Sequence, residues 1–209
     1  MSSIVRRDFG FDDLNFIIPL EQKVKKNALS LLKNIGVSIG AGIFGCFIGD
    51  QTVVLSAKIG VIPDFNWSQM MTEMCVTSRK IENVLFEFCF LGPVFEELMH
   101  RGGVQEILLT GLPKNILKII APGKETLLDL TVVKTARIFL TAAFFSYVHF
   151  LLNRGVFPDS YCNAQIVSSF VKSGITYGLL KESKIGLLGS IVAHISNNIL
   201  SLNEVFSYC

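Results

Sequence analysis

The sequence is poor in charged residues, which make up 17% of its 209 positions, whereas a typical soluble domain has about 25%. Half of the residues are hydrophobic, Phe alone occurs 17 times, and the mean hydropathy is +0.51. This composition indicates a protein that lies in a membrane.

Positive charge exceeds negative charge only slightly, because 17 Asp and Glu residues nearly balance the 19 Lys and Arg residues and leave a net charge of +2. Proteins that bind nucleic acid neutralise phosphates with many basic side chains, so no nucleic-acid partner is expected. The length suits a single domain. We expect one integral-membrane domain over residues 1–209, with a basic N-terminal segment at 1–34 and a motif-bearing core at 84–202.

The cysteines form no Cys-x-x-Cys pair and are odd in number, so neither a disulfide framework nor a thiolate zinc site is expected. They are Cys46, Cys75, Cys89, Cys162 and Cys209. The N-terminus also lacks the uninterrupted apolar core of a secretory signal.

Five apolar stretches have roughly the length of about 20 residues that a membrane-spanning helix needs. They cover about 35–48 (or as far as 62), 84–112, 134–152, 164–180 and 185–202. A sixth stretch, 113–131, mixes Leu and Ile with Lys between breaks at Pro113 and Pro122, which favours an interfacial helix. The predicted fold is all-α, a polytopic transmembrane bundle of about five helices with one short interfacial helix.

Glycines recur through the first stretch and predict close approach of another helix; they are Gly36, Gly40, Gly42, Gly45 and Gly49. Positively charged loops prefer the cytoplasm. Residues 1–34, 113–134 and 181–184 hold twelve Lys and Arg residues, and the loops of the opposite side hold four. The N-terminus is therefore predicted to be cytoplasmic and, after five crossings, the C-terminus to be outside.

The second stretch carries ionisable side chains that are costly inside a bilayer unless they pair or line a wet cavity. Glu97 and Arg101 are four residues apart, as are Glu96 and His100, and this spacing places each pair on one helical face. Such a cluster is more often functional than structural.

Two further stretches add polar side chains at the same spacing. His149 follows Phe145 by four residues near the end of the third stretch, and Asn198 follows His194 by four in the fifth. Water activation by a carboxylate and an imidazole, with donors for an oxyanion, uses these residue types.

Together these residues resemble the CPBP family of intramembrane proteases, which includes the CAAX prenyl endopeptidases and many bacterial relatives. Residues 96–101 match its Glu-Glu-x-x-x-Arg motif, residues 145–149 its Phe-x-x-x-His motif and residues 194–198 its His-x-x-x-Asn motif. The resemblance covers about 92–198. His100 departs from the apolar or aromatic residue expected there, and the membrane part is shorter than in the eight-helix prenyl endopeptidases.

The resemblance implies an intramembrane endopeptidase in which Glu96 and His149 activate a water molecule, while His194 and Asn198 stabilise the oxyanion. Glu97 would orient the site and Arg101 would be its ionic partner. The implied partners are the lipid bilayer and a membrane-associated peptide or protein substrate, with or without a lipid.

No cofactor is expected, although Glu96, His149 and His194 could hold zinc, with His100 as an added ligand. Against zinc, the His-Glu-x-x-His pattern of many zinc peptidases is absent. Two functions without proteolysis also fit the residues. One is a membrane scaffold or immunity-type protein, and the other is a small proton-coupled carrier that uses the same residues as a relay.

Overall fold

The computed structural model describes residues 14–64, 66, 68, 84–155 and 159–207, and the side chains of all of these except 14–24, 84, 85, 160, 173 and 205. The predicted features that fall outside this part are the start of the basic segment, residues 1–13, and the basic pair Arg79 and Lys80. The described residues form helices and connecting turns, which confirms the all-α class.

Five helices follow one another along the described chain. Helix α1 is Leu14–Lys58, and α2 is continuous through Val84–Leu91, Gly92–Glu97, Leu98–Gly111 and Leu112–Ile120. After a short 3-10 turn at Glu125–Asp129 come α3, Thr131–Asn153, and α4, which runs through Asp159–Ser169, Phe170–Tyr177 and Gly178–Glu182. Helix α5 is Gly186–Ser207. Each predicted apolar stretch lies within or largely within one helix.

Helix α2 changes its winding three times without breaking, from π to α, back to π and again to α. The segments Val84–Leu91 and Leu98–Gly111 have wide π-helical turns, and each is followed by an α-helical segment with proline in its first turn. Proline has no N–H to continue the hydrogen bonding of the preceding turns, so both changes from π to α fall beside a residue that cannot prolong the π pattern. The break predicted at Pro113 is therefore wrong, while Leu112–Ile120 does end before Pro122.

Glycines set the distance between α1 and its neighbours. A Cβ on Gly42 would collide with the backbone of Ala193 in α5, and one on Gly49 would collide with the side-chain stem of Lys172 in α4. A Cβ on Gly45 would lie 3.1 Å from Oγ1 of Thr176, a tight contact rather than a collision, whereas Gly36 and Gly40 have nothing close. The close approach predicted from these glycines holds for three of the five.

The outside of the described bundle is apolar and much of its inside is polar. Large hydrophobic side chains such as Phe44, Phe95 and Leu152 are exposed, while the largest fully buried side chain is Arg101. A water-soluble domain has the reverse arrangement, with charged side chains almost never fully buried unless paired.

Two helices in the described part are long and apolar enough, by length and composition alone, to cross a membrane. They are the segment Lys25–Lys58 of α1, with mean hydropathy 1.7, and Thr131–Asn153, with mean hydropathy 1.4.

Candidate active site

Helix α2 presents two adjacent glutamates to different surroundings. The side chain of Glu96 is 33% exposed, whereas that of Glu97 is completely buried. Successive residues of a helix point in directions about 100° apart, so neighbours in sequence need not share an environment. Solvent therefore reaches the first carboxylate and not the second.

Arg101 joins three helices from a fully buried position. Its Nε lies 3.6 Å from Oε2 of Glu97, one turn earlier on α2. Its Nη2 donates to the carbonyl of Gly174 in α4 at 3.5 Å, and its guanidinium lies 5.6 Å from the ring centre of Phe145 in α3. A buried charge is tolerated when it is paired, and here the pairing also links the helices.

The other oxygen of Glu97 holds a histidine of α5. Nδ1 of His194 lies 3.1 Å from Oε1 of Glu97, and both groups are buried. A carboxylate oxygen can only accept, so Nδ1 carries the proton and donates. Such a bond fixes both the tautomer and the orientation of an imidazole.

Phe145 and His149 form a stacked pair on α3. Nδ1 of His149 donates to the carbonyl of Phe145 at 3.0 Å, and the two ring centres are 4.2 Å apart with an angle of 28° between the planes. The phenyl ring is buried and supports one face of the imidazole. This packing gives a physical reason for a phenylalanine four residues before the histidine.

Both imidazoles point their second nitrogen at the same oxygen of Glu96. Oε2 of Glu96 lies 3.5 Å from Nε2 of His149 and 3.6 Å from Nε2 of His194. Since both Nδ1 atoms carry protons, Nε2 of each ring has a lone pair when the ring is neutral and an N–H when it is protonated. The carboxylate oxygen and the two nitrogens meet at distances slightly longer than direct hydrogen bonds, an arrangement suited to a shared proton or a polarised water.

We call these four side chains, Glu96, Glu97, His149 and His194, the glutamate–histidine cluster. Asn198 is one turn beyond His194, but its amide Nδ2 donates to the carbonyl of Phe88 in α2 at 2.8 Å. That bond uses one of two amide hydrogens. The structure thus brings Asn198 beside the cluster and ties it to α2 rather than to Glu96.

The four-residue spacing suggested that His100 pairs with the carboxylate of Glu96, but the two groups do not pair. Its Nδ1 instead lies 2.8 Å from the backbone carbonyl of Glu96, and its ring packs edge-on against Phe145 at 4.7 Å between centres. A carbonyl of the preceding turn is within reach without desolvating a carboxylate. His100 therefore acts as the ring-shaped packing residue for which an aromatic was expected.

A second polar cluster, which we call the clasp, consists of Gln105, Arg137 and Glu182 from α2, α3 and α4. Arg137 donates to Oε1 of Glu182 from Nε at 3.2 Å and to Oε2 from Nη2 at 3.0 Å, and Gln105 donates to Oε1 at 2.9 Å. Nη1 of Arg137 also donates to the carbonyl of Leu128. The clasp links the end of α4 to the middle of α2 and the first half of α3, the three helices that carry or contact the cluster.

Glu182 lies beyond the fourth apolar stretch, and two effects act on its pKa. Burial raises the pKa of Glu182, but the hydrogen bonds from Arg137 and Gln105 and the charges of Arg137 and Lys181 outweigh burial and lower it. The carboxylate is therefore charged in the folded protein at neutral pH.

The sequence analysis missed the clasp and the bond between Glu97 and His194. Arg137 gave a usable signal, because an arginine near the start of an apolar stretch needs a partner. Its partner Glu182 is 45 residues away, a distance at which spacing on one helix says nothing.

The donor atoms of Glu96, His149 and His194 decide whether these residues could hold zinc. Two imidazole nitrogens and a carboxylate oxygen are chemically suitable, and their separations of 3.5 and 3.6 Å are near the roughly 3.3 Å edge of a tetrahedral zinc site with bonds of about 2.0–2.1 Å. Within the described residues, however, no group of three or more His, Cys, Asp or Glu side chains has the spacing of a metal site. The mechanism below uses no metal.

Comparison with known protein families gives one match. The family model described as "Type II CAAX prenyl endopeptidase Rce1-like" matches residues 83–200, more than half of the chain. No curated protein and no solved structure matches the chain. The family match covers all three motifs and confirms the resemblance that they suggested.

Proposed function

Because the chain belongs to the Rce1-like family of type II CAAX prenyl endopeptidases, we propose that it is an integral-membrane endopeptidase that cleaves a membrane-associated peptide or protein. The observation that carries this proposal is the meeting of one carboxylate oxygen of Glu96 with Nε2 of both His149 and His194. No structural role requires two imidazoles to face one partly exposed carboxylate.

In the proposed reaction, Glu96 and His149 hold a water molecule whose oxygen adds to the peptide carbonyl carbon. The proton that the water loses passes to Glu96 and then to the amide nitrogen, where it allows the C–N bond to break. Glu96 suits this role because its side chain is partly exposed and its Oε2 lies beside Nε2 of His149.

His194 is the proposed donor to the carbonyl oxygen that gains charge, and its Nε2 must be protonated in that step. Glu97 supports this state, since its carboxylate faces Nδ1 of the same ring at 3.1 Å. The free amide hydrogen of Asn198 would supply a second donor. In a known protease, one such donor contributes about 2.7–4 kcal/mol.

We further propose that the five helices all cross the bilayer, with the N-terminus cytoplasmic. The exposed apolar side chains and the polar interior support a multi-pass arrangement. The count of basic residues supports the orientation. The last segment of α2, Leu112–Ile120, would then lie at the cytoplasmic surface, with Lys114 and Lys118 among exposed isoleucines such as Ile119.

Cysteine labelling tests the orientation. In otherwise cysteine-free protein, Ser3→Cys and Lys124→Cys should resist an impermeant thiol reagent in intact cells, whereas Arg154→Cys, in the turn after α3, should react. Labelling of both Ser3→Cys and Lys124→Cys in intact cells would refute the cytoplasmic assignment.

Proteolysis is tested with the purified full chain in nanodiscs and a panel of farnesylated and unprenylated membrane peptides, with products identified by mass spectrometry. The wild type and Glu204→Gln, an exposed carboxylate of α5, should cleave at least one peptide, and Glu96→Gln none. Comparing the two peptide classes shows whether the substrate needs its lipid. If no peptide is cleaved, and sealed vesicles instead show ion flux that depends on Glu96, the chain is a carrier.

The same assay with a metal chelator separates a metal-free mechanism from a zinc-dependent one. We expect cleavage to persist after treatment with a chelator and dialysis. Stoichiometric zinc whose removal stops cleavage, and whose return restores it, would overturn the metal-free mechanism while leaving proteolysis intact.

A further inference from the structure

Tyr177 lies against the face of His194 and belongs to none of the three motifs. The ring centres of the two residues are 4.8 Å apart, with 30° between their planes, and Tyr177 is completely buried. From this contact we infer that Tyr177 is a positioning residue that sets the tilt of the His194 ring. The inference rests on the proposed function for its catalytic meaning.

The glycines on either side of Tyr177 allow α4 to come close enough for this contact. A Cβ on Gly174 would collide with Ala142 of α3, and one on Gly178 would lie 2.9 Å from Cγ2 of Ile138. The carbonyl of Gly174 also accepts from Arg101. The same close packing of α4 that brings the carbonyl of Gly174 to Arg101 therefore places Tyr177 beside the cluster.

One hydrogen bond does not determine the orientation of an imidazole. The final side-chain torsion of histidine has broad minima, so the bond between Nδ1 of His194 and Glu97 still allows the ring to tilt. Tyr177 covers one face of the ring, and Phe145 approaches edge-on with centres 6.1 Å apart. Nε2 can aim at Glu96 only while this packing holds the ring.

The aromatic ring of Tyr177, rather than its hydroxyl, provides the contact. Within the described residues, the hydroxyl of Tyr177 is buried without a hydrogen-bond partner. Phenylalanine keeps the ring and removes only this unpaired group, whereas leucine keeps apolar bulk and removes the ring. The pair of substitutions therefore separates ring contact from simple filling of space.

Kinetics with the peptide that the wild type cleaves give the first measurement. Tyr177→Leu should lower kcat about tenfold or more with KM within twofold, since small displacements of catalytic groups are costly, and Tyr177→Phe should restore kcat to within about threefold of wild type. Wild-type kcat in Tyr177→Leu, or equal losses in both variants, would overturn the inference.

A measurement independent of activity uses the fact that the chain has three histidines, His100, His149 and His194. In histidine-labelled protein in micelles, the ring-proton signal that disappears in His194→Asn belongs to His194. Stacking on Tyr177 should shift it upfield in the wild type and in Tyr177→Phe, and the shift should vanish in Tyr177→Leu. An unchanged His194 signal in Tyr177→Leu would contradict the contact, whether or not the wild type cleaves any peptide. Failure of the wild type to cleave any peptide would refute only the proposed function.

Discussion

The clasp and the glutamate–histidine cluster are built from similar residues but pair them differently. In the clasp, both oxygens of Glu182 accept hydrogen bonds, from Arg137 and Gln105. In the cluster, Oε2 of Glu96 faces two nitrogens that carry lone pairs when the rings are neutral. The clasp has a donor for each carboxylate oxygen, whereas the cluster places two imidazole nitrogens at one carboxylate oxygen, 3.5 and 3.6 Å away.

This difference separates a role in stability from a role in chemistry. Pairing both oxygens of a carboxylate stabilises a fold, because an unpaired buried polar group costs about 1–3 kcal/mol. Incomplete pairing at a partly exposed carboxylate leaves room for a water or a proton to enter and leave. Substitutions in the clasp should therefore affect stability and spare turnover, and those around Glu96 should do the opposite.

The largest expected effect comes from removing an imidazole of the cluster. His149→Ala or His194→Ala should lower kcat of the folded protein by about 10²–10⁴-fold, the usual contribution of a general acid or base. His149→Ala should change thermal stability little, whereas His194→Ala also removes the donor to the buried Oε1 of Glu97 and should lower it. Tyr147→Phe, on the exposed face of α3, is the control. Retention of wild-type kcat by either alanine variant would show that the residue takes no part in the reaction.

Arg101→Ala should cost about 3–5 kcal/mol of stability, because it leaves the buried carboxylate of Glu97 without its ionic partner. Folded yield and activity should fall together. The double variant Glu97→Gln with Arg101→Met removes both charges and should recover much of the stability but not the activity, since Glu97 also orients His194. A wild-type melting temperature in detergent for Arg101→Ala would contradict the account.

Breaking the clasp should have a smaller effect. Glu182→Ala should cost about 1.5–3 kcal/mol, the range for hydrogen bonds to charged groups, while kcat of the folded fraction stays within about twofold of wild type. Glu106→Gln is the matched control, because that carboxylate pairs with Lys181 at a more exposed position and such pairs contribute about 0–1 kcal/mol. A large loss of kcat in folded Glu182→Ala would erase the distinction between the two clusters.

The smallest expected effect is a change of stability with pH. Because the pKa of Glu182 is lowered in the folded protein, its contribution is fully present above the unfolded-state pKa of 4.5 and is lost as the pH falls through the lower folded-state pKa. The melting temperature of the wild type should therefore fall more steeply with acid than that of Glu182→Gln. Identical pH profiles for the two proteins would mean that the clasp does not hold Glu182 in its charged form.

The helices and the site could be predicted from the sequence to different extents. Apolar stretches located the helices because each stretch is a local property, and the i, i+4 spacing correctly paired Glu97 with Arg101. The same rule failed for His100, where a backbone carbonyl competed with the carboxylate of Glu96. Sequence spacing shows which side chains lie close together, but it does not show whether a side chain will bond to a backbone carbonyl instead.

Contacts between helices could not be predicted in this way. The bonds from Glu97 to His194 and from Arg137 to Glu182, and the ring contact of Tyr177, all depend on how helices pack. The glycines on α1 indicated close packing without identifying the partner. Family resemblance supplied the convergence of the motifs, which no local pattern contains.

The central claim is that Glu96 activates the attacking water. The most direct test is the single-turnover rate of peptide cleavage by Glu96→Gln, compared with wild type at equal concentrations of folded protein in the same nanodiscs. The account predicts a loss of at least about 10²-fold with an unchanged melting temperature and unchanged peptide binding. Cleavage by Glu96→Gln at a rate near that of the wild type would contradict it.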